Sequence, residues 1–188
     1  MRRRSFIRLL LAGMLTVPLP AVVNAHTPYR QWKVLRQRFL LVHSSRTDPV
    51  SDDIAEKLVD ILDQVLPKAN AMTARAPDEG RIASLMTTGQ AVLAVMRSGE
   101  AEDLYHRRGA FRDYDGEQLR TLVAVDDHLL VTVASFPRHH AWLVTAALTE
   151  NGGELGIRLA DNITGGDSVP LHDGAAGFAN GESLEAQQ

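Results

Sequence analysis

The 188-residue chain contains no cysteine. That excludes a disulfide scaffold, a thiol nucleophile and a thiolate metal site. Aromatic residues make up only 5% of it, too few for a base-stacking surface. After the first 25 residues no apolar stretch approaches the 18 or so residues needed to cross a bilayer. Recognised catalytic strings are also missing: the sequence has no G-x-S-x-G, no HExxH, no phosphate loop and no dinucleotide fingerprint. What remains, 45% hydrophobic and 23% charged residues, is ordinary globular chemistry of a size suited to one domain with or without a tail.

Charge is unevenly spread. Residues 1–25 carry Arg2, Arg3, Arg4 and Arg8 and no acid, so the net charge of -3 becomes -7 over the rest. An acidic body of this kind speaks against nucleic-acid binding, which needs clustered Lys and Arg to neutralise phosphates. The basic start is followed by the apolar run Leu9 to Val17, by Pro18 and Pro20, and by the small-residue exit Val23-Asn24-Ala25. This pattern predicts a signal peptide over 1–25, cleaved after about Ala25, and a periplasmic mature protein. Arg3-Arg4-Ser5-Phe6-Ile7-Arg8 is similar to the twin-arginine export consensus.

The mature chain alternates apolar runs with amphipathic segments. Phe39 to Val42 reads as a buried strand before a polar loop, Ser44-Ser45-Arg46-Thr47. Asp48 suits a helix N-cap and Pro49 its first turn. Ile54, Leu58, Ile61, Leu62 and Val65 then recur at helical spacing until Pro67. Ala71 to Ala76 predicts a second strand, Asp78 to Met86 a second helix and Ala91 to Met96 a third strand. Gly99 to Gly116 reads as charged and irregular. Leu119 to Val125 and Leu129 to Val133 are strand-like runs meeting at Asp126-Asp127, and a helix follows from near Pro137, capped by Ser135. Continuous apolar strands between amphipathic helices predict an α/β fold: a single Rossmann-like lobe over 26–160, a mainly parallel sheet and helices on both faces. From 161 to 188, Gly, Asp and Ala predominate, and an extended tail is expected.

Open α/β sheets bind ligands where strand carboxyl ends meet helix N-termini. Ser44, Ser45, Arg46 and Thr47 are therefore the first candidate ligand-binding residues, with Arg75 and Arg81 flanking the next strand and helix. Hydroxyls, free N–H groups and guanidiniums there suit a small organic anion, and the same residues serve equally as ordinary caps and solvated side chains. No nucleophile, base and orienter assemble from motif-spaced residues, so a non-enzymatic protein without cofactor is expected. His139 and His140, adjacent on a predicted helix, point about 100° apart and cannot readily chelate one ion. His26 would become the new N-terminus after cleavage. Its amine and imidazole offer a copper site, and with it the alternative of a small metal carrier.

Several segments together resemble the TAXI family, the extracytoplasmic solute-binding subunits of TRAP transporters. They are the strand–loop–helix from Leu40 to Leu66, the stretch Arg81 to Met96, and Arg108-Gly109-Ala110-Phe111 with Leu119-Arg120-Thr121-Leu122. To these are added Phe136 to Val144 and, as the most specific string, Val169-Pro170-Leu171-His172-Asp173-Gly174-Ala175. The resemblance implies a type II periplasmic-binding-protein lobe, a small organic anion of the amino-acid or dicarboxylate class as ligand, and a TRAP-type membrane transporter as partner. By position it places ligand contacts at Ser44 and Ser45. The family's second lobe would be inserted between Val133 and Phe136, where this chain has two residues. A shortened lobe brings in a further alternative, an accessory protein that binds another periplasmic protein.

Overall fold

A computed structural model describes residues 39–159 and 168–187; the expected signal peptide and His26 lie outside them. Six strands form one sheet in the order β2-β1-β3-β5-β4-β6. These are β1 Leu40–Ser45, β2 Ala71–Ala76, β3 Leu93–Arg97, β4 Leu119–Val125, β5 His128–Val133 and β6 Arg158–Leu159. β1 pairs in parallel with β2 and with β3. β5 lies antiparallel between β3 and β4, and β6 runs antiparallel along β4. Four of the six strands thus point the same way, and the fold is the α/β lobe with a mainly parallel sheet.

Helix α1, Pro49–Val65, joins β1 to β2, and α2, Glu79–Thr87, joins β2 to β3. The first connection leaves β1 in one direction and the second crosses back over it. Crossovers between parallel strands are right-handed almost without exception, and two that run in opposite directions along the sheet place their helices on opposite faces. α3, Ser98–Tyr105, lies on the α2 side against β3 and β5, and α4, Arg138–Asn151, lies beside α1. The core between these layers is built from Leu58 and Leu62 of α1, Ile82 and Met86 of α2, Leu93, Leu122 and Leu130 of the sheet, and Leu148 of α4, all fully or almost fully buried. Side chains of this size each contribute about 1.5–3 kcal/mol on burial. β5 is buried along its whole length, which is why its sequence reads as a continuous apolar run.

Local chemistry accounts for the boundaries. Asp48 caps α1 through Val50 N–H and Ser51 N–H, with Pro49 in the first turn. Asp78 caps α2 through Arg81 N–H. At the β4–β5 hairpin Asp126 adopts a left-handed backbone (φ 50°), which Asp tolerates better than most side chains.

Four expectations are corrected. Ser44 and Ser45 are not loop residues: β1 continues through both, in register with Arg75 and Ala76, and both are buried. The Gly99–Gly116 stretch is not wholly irregular, since α3 occupies its start with Ala101 and Leu104 buried and Tyr105 packed against the core. The helix expected from near Pro137 is α4, which begins at Arg138 with Pro137 at its N-cap position and takes no side-chain cap from Ser135. The expected extended tail differs as well. Its described part contains α5, Asp173–Ala179, packed on α4, and a 3-10 turn at Leu184–Gln187.

Candidate functional site

β1 is flanked by β2 and β3, and the chain leaves it in opposite directions, so the carboxyl ends of β1 and β3 border the topological switch point. Residues 44–48 end or follow β1, residues 76–81 end or follow β2, Arg97 ends β3 and Ser98 follows it, and His128 opens β5 directly opposite Arg97.

Asp48 is the hub. Its side chain is only 3% exposed and accepts from Arg97 Nε at 3.0 Å, Arg97 Nη2 at 3.2 Å, His128 Nε2 at 2.9 Å and the N–H groups of Val50 and Ser51 at 3.2 and 3.4 Å. The Arg97 guanidinium, together with His128, holds this carboxyl far below the usual carboxylate range despite burial, which pushes the other way. An ionised carboxylate only accepts, so it places the His128 proton on Nε2. With five donors on two oxygens, Asp48 has no lone pair left for a substrate proton or a cation. It joins β1, α1, β3 and β5 at one point.

Two further networks border the hub. On the α1 side, Ser44 Oγ donates to Asp52 at 2.9 Å, and Arg75 bonds Asp52 at 2.7 Å and Glu56 at 2.6 Å. Asp52 and Glu56 raise the Arg75 pKa further above its ordinary value. On the α2 side, Ser45 Oγ lies 2.7 Å from Thr47 Oγ1, whose hydroxyl contacts both Glu79 oxygens at 2.9 and 2.8 Å. Backbone donors are equally occupied: Ser45 N–H bonds Ser51 Oγ, Arg46 N–H bonds the Ala76 carbonyl, and Thr47 N–H bonds Ser45 Oγ. The Asp48 N–H bonds the Ser45 carbonyl.

The structure therefore brings Ser44 and Arg75 together through Asp52, and Ser45 to Thr47. Of the six candidate residues, Arg46 and Arg81 alone keep exposed side chains without a hydrogen bond or ion pair among the described residues. Arg46 sits beside the end of β2 through its backbone bond to Ala76, and Arg81 lies in the first turn of α2. Glu79, which binds Thr47, belongs to that same turn.

Asp48 as a hub, Arg97, His128 and Glu100 escape sequence reasoning. Arg97 and His128 stand 49 and 80 positions from Asp48, and no local pattern links them. Two atoms here have no partner among the described residues, His128 Nδ1 and Glu100 Oε2. Burial raises the Glu100 pKa, the nearby Glu79 charge adds to the rise, and Arg97 opposes it. No group of three or more His, Asp or Glu among the described residues is placed to hold a metal ion. A separate shallow groove between α1 and the end of α4 is lined by Lys57, Asp60, Ile61, Asn151, Gly152 and Leu155 and includes no strand-end residue. No helix of the described residues is long and apolar enough to cross a membrane.

No protein-family profile matches the chain, and no curated protein matches it.

Proposed function

We propose that this is an exported, non-catalytic solute-binding lobe, related to the TAXI subunits, that captures a small organic anion of the amino-acid or dicarboxylate class for a TRAP-type membrane transporter. The observation that carries the proposal is the contrast at the strand ends. Ser44, Ser45, Thr47 and Arg75 are spent on neighbouring groups, while Arg46 and Arg81 present open guanidiniums from two adjoining connections. A guanidinium matches a carboxylate with two parallel hydrogen bonds, so this pair suits a carboxylate ligand. Capture needs no proton transfer, in keeping with an Asp48 whose lone pairs are all occupied.

A panel of glutamate, 2-oxoglutarate and other dicarboxylates tests the proposal by thermal unfolding. An anion at about 100 times its dissociation constant stabilises the protein by about 2.7 kcal/mol, a rise of roughly 5–10 °C. Arg46→Gln with Arg81→Gln should fold normally and lose that rise. A rise that survives in the double variant refutes the site.

A second reading has its own observation. Val50 is 52% exposed in the first turn of α1, beside the exposed Pro49, Thr47 and Arg46. Arginine is enriched at protein interfaces and an exposed apolar neighbour adds area to bury, which supports an accessory role toward another exported protein. On that reading none of the anions shifts unfolding, and Val50→Asp abolishes association with the partner.

A further inference from the structure

The C-terminal segment is fastened by a histidine whose ring nitrogens are both committed. His172 is 3% exposed. Its Nε2 lies 3.0 Å from the Phe136 carbonyl oxygen, and its Nδ1 accepts the Gly174 N–H at 3.0 Å, capping α5. A carbonyl oxygen can only accept, so Nε2 must carry a proton. An amide N–H can only donate, so Nδ1 must present its lone pair. The ring is therefore neutral and in one tautomer. A second proton can go only to Nδ1, where it would face the Gly174 N–H donor to donor and remove the cap.

The capped segment covers a defined surface. The strand-like stretch 170–172 bonds both the N–H and the carbonyl of Thr121 along the outer edge of β4. Gly174 sits against the Arg138 carbonyl and Ala141 of α4, so closely that a Cβ would collide with both. Val169 and Ala175 are buried. Trp142 of α4 packs edge-on against Phe178, and its Nε1–H donates to the Glu182 carbonyl at 3.0 Å.

We propose that His172 is an acid-operated latch: protonation at Nδ1 uncaps α5 and loosens residues 168–187 from α4 and from the edge of β4. Burial holds this imidazole below its ordinary value, and Arg120 of β4 adds to that. Asp173 and the carbonyls of Phe136 and Ala134 pull the other way. Further charged or titratable groups of this region are the Arg138–Glu182 ion pair, Glu185 of the 3-10 turn packed on α4, and His140 of α4. His140 is also held low by burial and by His139, and its ring centroid lies 6.0 Å from that of Phe136. The sign follows from the neutral docked state. Docking is full above the free histidine value of about 6.5 and weakens as pH falls below it toward the docked value, tenfold for each unit of depression.

Trp142 reports on docking directly. The chain has one other tryptophan, Trp32, so the full chain carrying Trp32→Phe isolates the signal. Its emission and its cleavage by protease within residues 160–172 are followed from pH 8 to pH 5, with far-UV circular dichroism to confirm that the lobe stays folded. The expected result is a red shift and faster cleavage below about pH 6.5. Adding His172→Asn, which caps without titrating, should abolish the transition, and adding His140→Gln should leave it. A transition that survives His172→Asn, that disappears with His140→Gln, or that is absent from the starting protein overturns the proposal. If the His172→Asn chain does not fold, the starting protein and the His140→Gln chain still decide between these outcomes.

Discussion

Asp48→Ala removes the group on which four elements converge, and its cost can be worked from the contacts. Loss of the α1 cap costs about 0.5–2 kcal/mol. His128 is 5% exposed, and its Nε2 would be left without an acceptor in a buried setting, a further cost of about 1–3 kcal/mol. Arg97 is half exposed and can turn to water, so it adds little. The sum centres on about 3 kcal/mol, equivalent to a fall in the thermal midpoint of roughly 6–12 °C. Urea unfolding at pH 7 measures it as a lowered midpoint at unchanged slope. The pH dependence supplies a second check. A carboxyl with a depressed folded-state pKa stabilises above its ordinary value of 3.8 and loses that contribution as pH falls below it, so the difference between wild type and Asp48→Ala should shrink in acid. A loss below about 1 kcal/mol at pH 7 would refute the hub, because it would leave the cap alone as the whole effect.

Two other perturbations separate the remaining parts of the account. Gly174→Ala should destabilise by about 1–3 kcal/mol through overpacking against the Arg138 carbonyl and Ala141, and protease cleavage between residues 160 and 172 should accelerate. Glu100→Gln should raise the urea midpoint at pH 7. Burial and Glu79 raise the Glu100 pKa, so the wild type loses stability as pH rises above the ordinary value of 4.5, and the variant should lack that decline.

The layer architecture was legible because buried strands and amphipathic helices leave periodic traces. Ile54, Leu58 and Leu62 mark α1, and Leu129 to Val131 mark a strand covered on both faces. Asp48 was legible as a cap, since capping is a local interaction, whereas Asp78 was read only as the start of its helix and caps it in the structure. The position of β5 between β3 and β4 was not, because strand order depends on pairings that no short window contains. α3 was missed for a different reason: Ala101, Leu104 and Tyr105, its residues on the core, fall within five positions, too short a run to show a period. At the candidate site, the residue types around Ser44–Thr47 were readable but their engagement was not. Whether a serine or an arginine offers itself to a ligand depends on carboxylates such as Asp52, Glu56 and Glu79, and folding brings these in from 8 to 32 positions away. Arg46 and Arg81 are set apart only by the engagement of Ser44, Ser45, Thr47 and Arg75, which no local pattern shows.

Calorimetric titration of the protein with glutamate, 2-oxoglutarate and related dicarboxylates is the most direct test of capture at the strand ends. The account predicts that one of these anions binds at one per chain. It also predicts that Arg46→Gln with Arg81→Gln abolishes binding while leaving the thermal midpoint of the unliganded protein in place. Failure of all of them to bind, or binding undiminished in the double variant, would contradict it.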